Sequence, residues 1–154
     1  MNDYIAAMRS MVGHETLLTV GCGAIIEDED RLLLQKRTDY GSWGIPGGLL
    51  ELGETFDMTV RREVEEETGL HVKELELFGI YSGEKGYATY ENGDRVFSIQ
   101  IIFRVKEYQG ELKTNHESLA QGFFCRNDLP EYINPHQAPF INDWAAGLSL
   151  PIIR

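Results

Sequence analysis

Between Arg62 and Leu70 the chain reads REVEEETGL, with glutamates at 63, 65, 66 and 67. Like charges four residues apart destabilise an exposed helix by about 0.2–0.5 kcal/mol per pair. Either water absorbs that repulsion on a solvated face, or something positive sits beside it. A helical wheel separates the two cases. With Glu63 at the origin, Glu67 falls at about 40° and Glu66 at about 300°. Phe56, Val60 and Val64 fall at about 20°, 60° and 100°, while Arg61 and Glu65 point away at about 160° and 200°. Glu63, Glu66 and Glu67 therefore form one patch at the margin of an apolar stripe. A solubilising face should lie opposite the core. At its margin, partial burial raises the cost of three unpaired anions. Hard divalent cations, which prefer oxygen ligands, relieve that cost. The plainer alternative is a surface helix laced by i,i+4 ion pairs. Arg62 either pairs with Glu66 or reaches back to Glu54. The second choice leaves Glu66 available for a metal.

The elements that must hold this patch can be read around it. Thr55 is placed to cap a helix over about 56–68, with Asp57 in its first turn and Gly69 at its stop. Upstream, 17–26 and 31–37 read as a hairpin around the acidic turn 27–30. Residues 38–53 read as a glycine-rich loop. Downstream, 72–82 and 96–106 read as strands, with turn chemistry between them at 83–95, and 121–126 as a shorter strand. Residues 136–147 read as a helix with Phe140, Ile141 and Trp144 inward. Ile5, Met8 and Val12 have the spacing of a short docking helix over about 4–12. This order gives a single α/β (α+β) domain over 1–154. The tail 148–153 and the first helix could support a homodimer or pack on their own subunit.

Gly48, Glu54, Arg62, Glu63, Val64, Glu66, Glu67, Gly69 and Leu70 together match the pattern G-x5-E-x7-R-E-U-x-E-E-x-G-U, where U is apolar. The stretch resembles the Nudix box of the MutT-like pyrophosphohydrolases. Trp43-Gly44-Ile45-Pro46-Gly47-Gly48 resembles the usual lead-in. The resemblance implies an α/β/α sandwich with a mixed β-sheet and a loop–helix–loop catalytic element. It also implies Mg2+-dependent hydrolysis, with Mn2+ as a substitute, of a nucleoside diphosphate linked to another moiety, such as ADP-ribose, or of a nucleoside triphosphate. Carried onto this chain, Glu63, Glu66 and Glu67 would be metal ligands together with the Gly48 carbonyl. Arg62 and Glu54 would orient the site. Members of the family place the general base either on the box helix or on a later-loop glutamate, and Glu117 is the candidate for the second position. The alternative within the fold is a nucleotide-sensing module without turnover.

Substrate contacts must come from outside the box. Tyr81, Tyr87 and Tyr90 lie in a glycine-containing segment that could be a mobile base-stacking loop or an ordinary hairpin. Arg37 and Lys36 are either phosphate contacts or solvated strand-end charges. Trp43 is expected to pack under the loop, Arg104 to face outward and His116 to lie at the surface.

The net charge of −11 argues against nonspecific nucleic-acid binding and against an anionic membrane surface. A small phosphorylated ligand remains compatible, because a bound metal reverses the local sign. The first fifteen residues lack the pattern of a secretory signal. Cys22 and Cys125 read as free thiols, and the expected compartment is the cytoplasm.

Overall fold

The computed structural model describes residues 3–38 and 41–154. Helix α1 spans Asp3–Val12. Strands β1 (Leu17–Asp28) and β2 (Arg31–Arg37) form the expected hairpin, whose turn places Glu29 and Asp30 in the left-handed region. The glycine-rich segment differs from expectation. It carries two short strands, β3 (Trp43–Gly44) and β4 (Gly47–Leu49), while residues 39 and 40 lie outside the described set. Helix α2 occupies Phe56–Thr68, followed by β5 (His71–Tyr81), a 3-10 turn (Glu84–Gly86), β6 (Tyr87–Thr89) and β7 (Arg95–Gln109). Strand β8 (Ser118–Cys125), helix α3 (Ala138–Ala146) and β9 (Ile152–Ile153) complete the chain.

The sheet is mixed, in the order β3-β2-β1-β7-β5-β9, with β4 beside β1, β6 beside β7 and β8 beside β2. Its spine is the parallel pairing of β1 with β7, from Leu17 opposite Val96 to Ile26 opposite Val105. Alternation along these two strands divides the core between two faces. Cys22, Ala24, Ile26, Ile101 and Val105 join Val60 and Val64 of α2. Ile25 and Ile102 join Phe140, Ile141 and Trp144 of α3 on the other side. Burial on both faces explains why 17–26 reads as a continuous apolar run.

The tail closes onto its own chain: β9 runs parallel to β5, pairing Ile152 with Gly79. Ile5, Met8 and Val12 are half-buried, so α1 docks more shallowly than a core helix does. Among the described residues no helix is long and apolar enough to cross a membrane.

Candidate active site

Helix α2 begins and ends where its caps dictate. The Thr55 hydroxyl accepts the Met58 N–H, and Gly69 turns left-handed to stop the helix. Its buried side is Thr59, Val60, Val64, Glu67 and Thr68. The wheel placed Phe56 on the apolar stripe, but it is exposed.

The three box glutamates stand at three depths. Glu67 is 5% exposed, and its carboxylate accepts the Gly47 N–H at 2.9 Å and the Gln35 side-chain amide at 3.0 Å. Burial, reinforced by the Glu63 charge, pushes it up to about 8. Glu63 is half-buried against Gly48, and burial raises its carboxyl too. The Glu66 side chain is 60% exposed. Gly48 leaves the space that Glu63 uses, since a Cβ there would collide with the Glu63 carboxyl group.

Arg62 fixes this array. Its Nε and Nη2 donate to Glu54 at 2.8 and 2.9 Å, as the second of the two sequence readings expected. That contact first of all holds the Glu54 carboxyl down at about 2. Arg62 also donates to Glu63 at 2.8 Å and lies 3.7 Å from Glu66. The Glu54 pairing was expected to leave Glu66 free; the guanidinium nevertheless stays within ion-pair distance of Glu66 and also holds Glu63.

Glu117 sits in the loop before β8. The Asn115 side chain ties that loop to the end of α2 by donating to the Glu66 carbonyl at 3.2 Å. The Glu117 charge adds a small upward push to the Glu63 carboxyl. Glu117 itself is half-exposed, and His116 is solvated beside it.

A cavity of about 730 Å3 opens beside the cluster, lined by Gly47, Gly48 and Arg37 at this end. Arg37, at the end of β2, also acts on Glu67 as a nearby positive charge. Tyr81 is not in a loop: it ends β5, is 4% exposed and donates its hydroxyl to Asp143 at 2.9 Å. It lines the cavity from within the core. Tyr87 lies in β6 against Phe97, with ring centres 4.8 Å apart, and Tyr90 takes the lining position instead. This segment is the hairpin of the plainer reading. Trp43 packs edge-on against Phe124, and Arg104 faces outward to Glu27. Cys22 and Cys125 are free, and burial pushes the Cys22 thiol up to about 11.

Sequence reasoning missed Gln35 and Gln121, which hold Glu67 from below, and the buried Asp143. A lone glutamine inside the apolar run RLLLQKR was the available signal for Gln35.

The residues suit a hard cation. Carboxylate oxygens, those of Glu63 and Glu67 disfavoured as anions by burial, and the backbone carbonyl of Gly48 make an all-oxygen donor set. Among the described residues no three such groups already stand in an ion-holding cluster. Glu63 turns toward Arg62, and Glu67 toward Gly47.

The sequence profile of the NUDIX domain matches residues 17–144. The chain belongs to the Nudix family. It is 37% identical over 109 residues to a MutT-like protein of Streptomyces ambofaciens, covering 71% of this chain and 64% of that one. It is 36% identical over 121 residues to the ADP-ribose pyrophosphatase of Methanocaldococcus jannaschii, covering 77% and 68%. The Nudix fold is likewise that of the MutT NUDIX hydrolase from Burkholderia pseudomallei, with a TM-score of 0.70, 28% identity and coverage of 81% and 96%. Thus the chain spans slightly under two thirds of the length of its Streptomyces relative.

Proposed function

We propose that this chain is a metal-dependent pyrophosphohydrolase acting on the diphosphate linkage of a nucleoside diphosphate joined to another moiety. The observation that carries the reading is the box itself. Glu63 lies against Gly48 and Glu67 accepts the Gly47 N–H, and these two glycines of the facing strand line one end of the cavity. Relatives named for ADP-ribose pyrophosphatase and 8-oxo-dGDP phosphatase activity support the same reaction class.

Glu63, Glu66, Glu67 and the Gly48 carbonyl would hold the divalent ion, with Mg2+ favoured and Mn2+ able to replace it. When bound, that ion supplies charge neutralisation for the phosphate oxygens and acidifies water. The chain's own groups do the positioning that phosphoryl transfer chiefly requires. Arg62, braced by Glu54, sets the direction of Glu63. Gly47 and Gln35 orient Glu67 through hydrogen bonds. Arg37, which lines the same end of the cavity, would meet a phosphate oxygen there. Glu117 is the group outside the helix that could take the proton of the attacking water; the other candidates are the box glutamates.

Phosphate release from a panel of nucleoside diphosphate derivatives tests this. Turnover should require the divalent ion and disappear with chelator. E66Q and E67Q should each lose about 100-fold in rate with unchanged circular dichroism. Unimpaired turnover in both variants overturns the metal assignment. E117A should lower the rate and shift the pH–rate profile; an unchanged profile removes Glu117 from the mechanism.

A further inference from the structure

The cavity runs away from the glutamates. From β4 its floor crosses β1 at Gly21, β7 at Gln100 and β5 at Tyr81, and it ends at Arg154 just beyond β9. Four inter-strand steps separate the ends, roughly 19 Å along the sheet. Diphosphate chemistry belongs at the β4 end, so the far end must receive another part of the substrate.

Arg154 is built into that end. Its N–H donates to the Ile80 carbonyl at 3.0 Å, and its carbonyl accepts the Ser82 N–H at 3.2 Å. Its Nε and Nη2 donate to Asp143 at 3.2 and 2.9 Å, and the Tyr81 hydroxyl donates to the same carboxylate. One edge of the guanidinium is thus held by Asp143. The other edge, Nη1 with the outer hydrogen of Nη2, makes no hydrogen bond among the described residues. The side chain is 55% exposed and lines the cavity.

A guanidinium has five donors and no acceptor, arranged in a planar fork. It accepts a partner edge that carries lone pairs and rejects one that carries an amino group. Asp143 offsets its charge, so an added anion gains little there, whereas a neutral acceptor edge keeps both hydrogen bonds. Ile45, Ile102 and Phe140 provide apolar walls suited to a flat ring.

We propose that Arg154 is a specificity-determining residue that favours a nucleobase with a carbonyl edge, a 6-oxopurine or 4-oxopyrimidine, over a 6-aminopurine. Asp143 and Tyr81 are positioning residues that aim it. The proposal rests on the reading that the chain takes a nucleotide derivative.

The test compares inosine diphosphate glucose with adenosine diphosphate glucose, which differ at the edge in question. Wild type should favour the inosine compound about tenfold in kcat/KM. R154Q, whose amide both donates and accepts, and R154K, which lacks the fork, should bring the ratio close to unity. If R154Q is destabilised by its orphaned Asp143, the D143N/R154Q double variant removes both charges and gives the same comparison. Calorimetric binding of inosine and adenosine monophosphates to the same proteins reads the preference without turnover. It therefore separates failure of this proposal from failure of the hydrolase reading. An unchanged ratio in the variants, a wild-type preference for adenosine, or no binding of either monophosphate overturns the proposal.

Discussion

Arg62 shows how much a single side chain decides in this site. Two of its nitrogens grip Glu54 and a third reaches Glu63, so its planar fork serves two carboxylates at once. Lysine keeps the charge but not the fork. R62K should therefore retain the helix by circular dichroism while losing about 10- to 100-fold in turnover. Full activity in R62K would reduce Arg62 to a surface charge. The Glu54 contact was legible because the loop 50–55 must pass the start of α2, and a carboxylate eight residues upstream can meet the arginine there. The Glu63 contact was not. Neighbouring residues on a helix do not normally face each other. Here both side chains bend toward the same strand, with Arg62 also donating to the Leu49 carbonyl at 3.3 Å. Glu67 held a similar surprise: its place on the wheel implied burial, but the amides of Gln35 and Gly47 that receive it come from distant strands.

At the scale of elements, β4 and α2 are the two halves of the box, and adjacent glycines on β4 serve them differently. A Cβ at Gly47 would meet the Cys22 carbonyl and the Gly23 backbone, which belong to the β1 ladder and cannot swing away. The nearest atoms to a Cβ at Gly48 are those of the Glu63 carboxyl group, the end of a side chain and not a fixed backbone. G47A should therefore cost about 1–3 kcal/mol in stability, as overpacking against a fixed backbone does. G48A should leave the melting temperature nearly unchanged and abolish most turnover. Denaturant melts and rate assays on both variants check this, and equal stability losses would contradict it. Helix α2 was readable to the residue because Thr55 and Gly69 are local signals that act within one turn. Strands β3, β4 and β9 were not, since two or three residues carry no periodicity and their pairing partners are far away in sequence. The box spacing alone located Gly48 without revealing that it sits in a strand.

Across the whole molecule, a chain of net charge −11 nevertheless lines its pocket with cations that include Arg37, Lys85 and Arg154, as the proposed anionic substrate would require. Those cations arrive from three separate parts of the chain, which is why composition alone argued only about nucleic acids and membranes. The last of them also fastens the fold. Asp143 of α3 receives Tyr81 from β5 and Arg154 from the segment beyond β9, so one carboxylate ties the helix to that sheet edge. Burial by itself would push the Asp143 carboxyl up. The Arg154 guanidinium and the Tyr81 hydroxyl outweigh burial and hold it below its ordinary 3.8. A depressed folded value means that ionised Asp143 stabilises the native state above about pH 4, and that this contribution fades as pH falls through the folded value. D143N removes the charge at every pH. Wild type should therefore melt several degrees above D143N at pH 6, and the gap should close as the pH is taken down below about 4. Melting curves of both proteins across that range decide the matter. A gap that stays constant with pH would mean that Asp143 acts through shape and hydrogen bonding, with no part played by its charge.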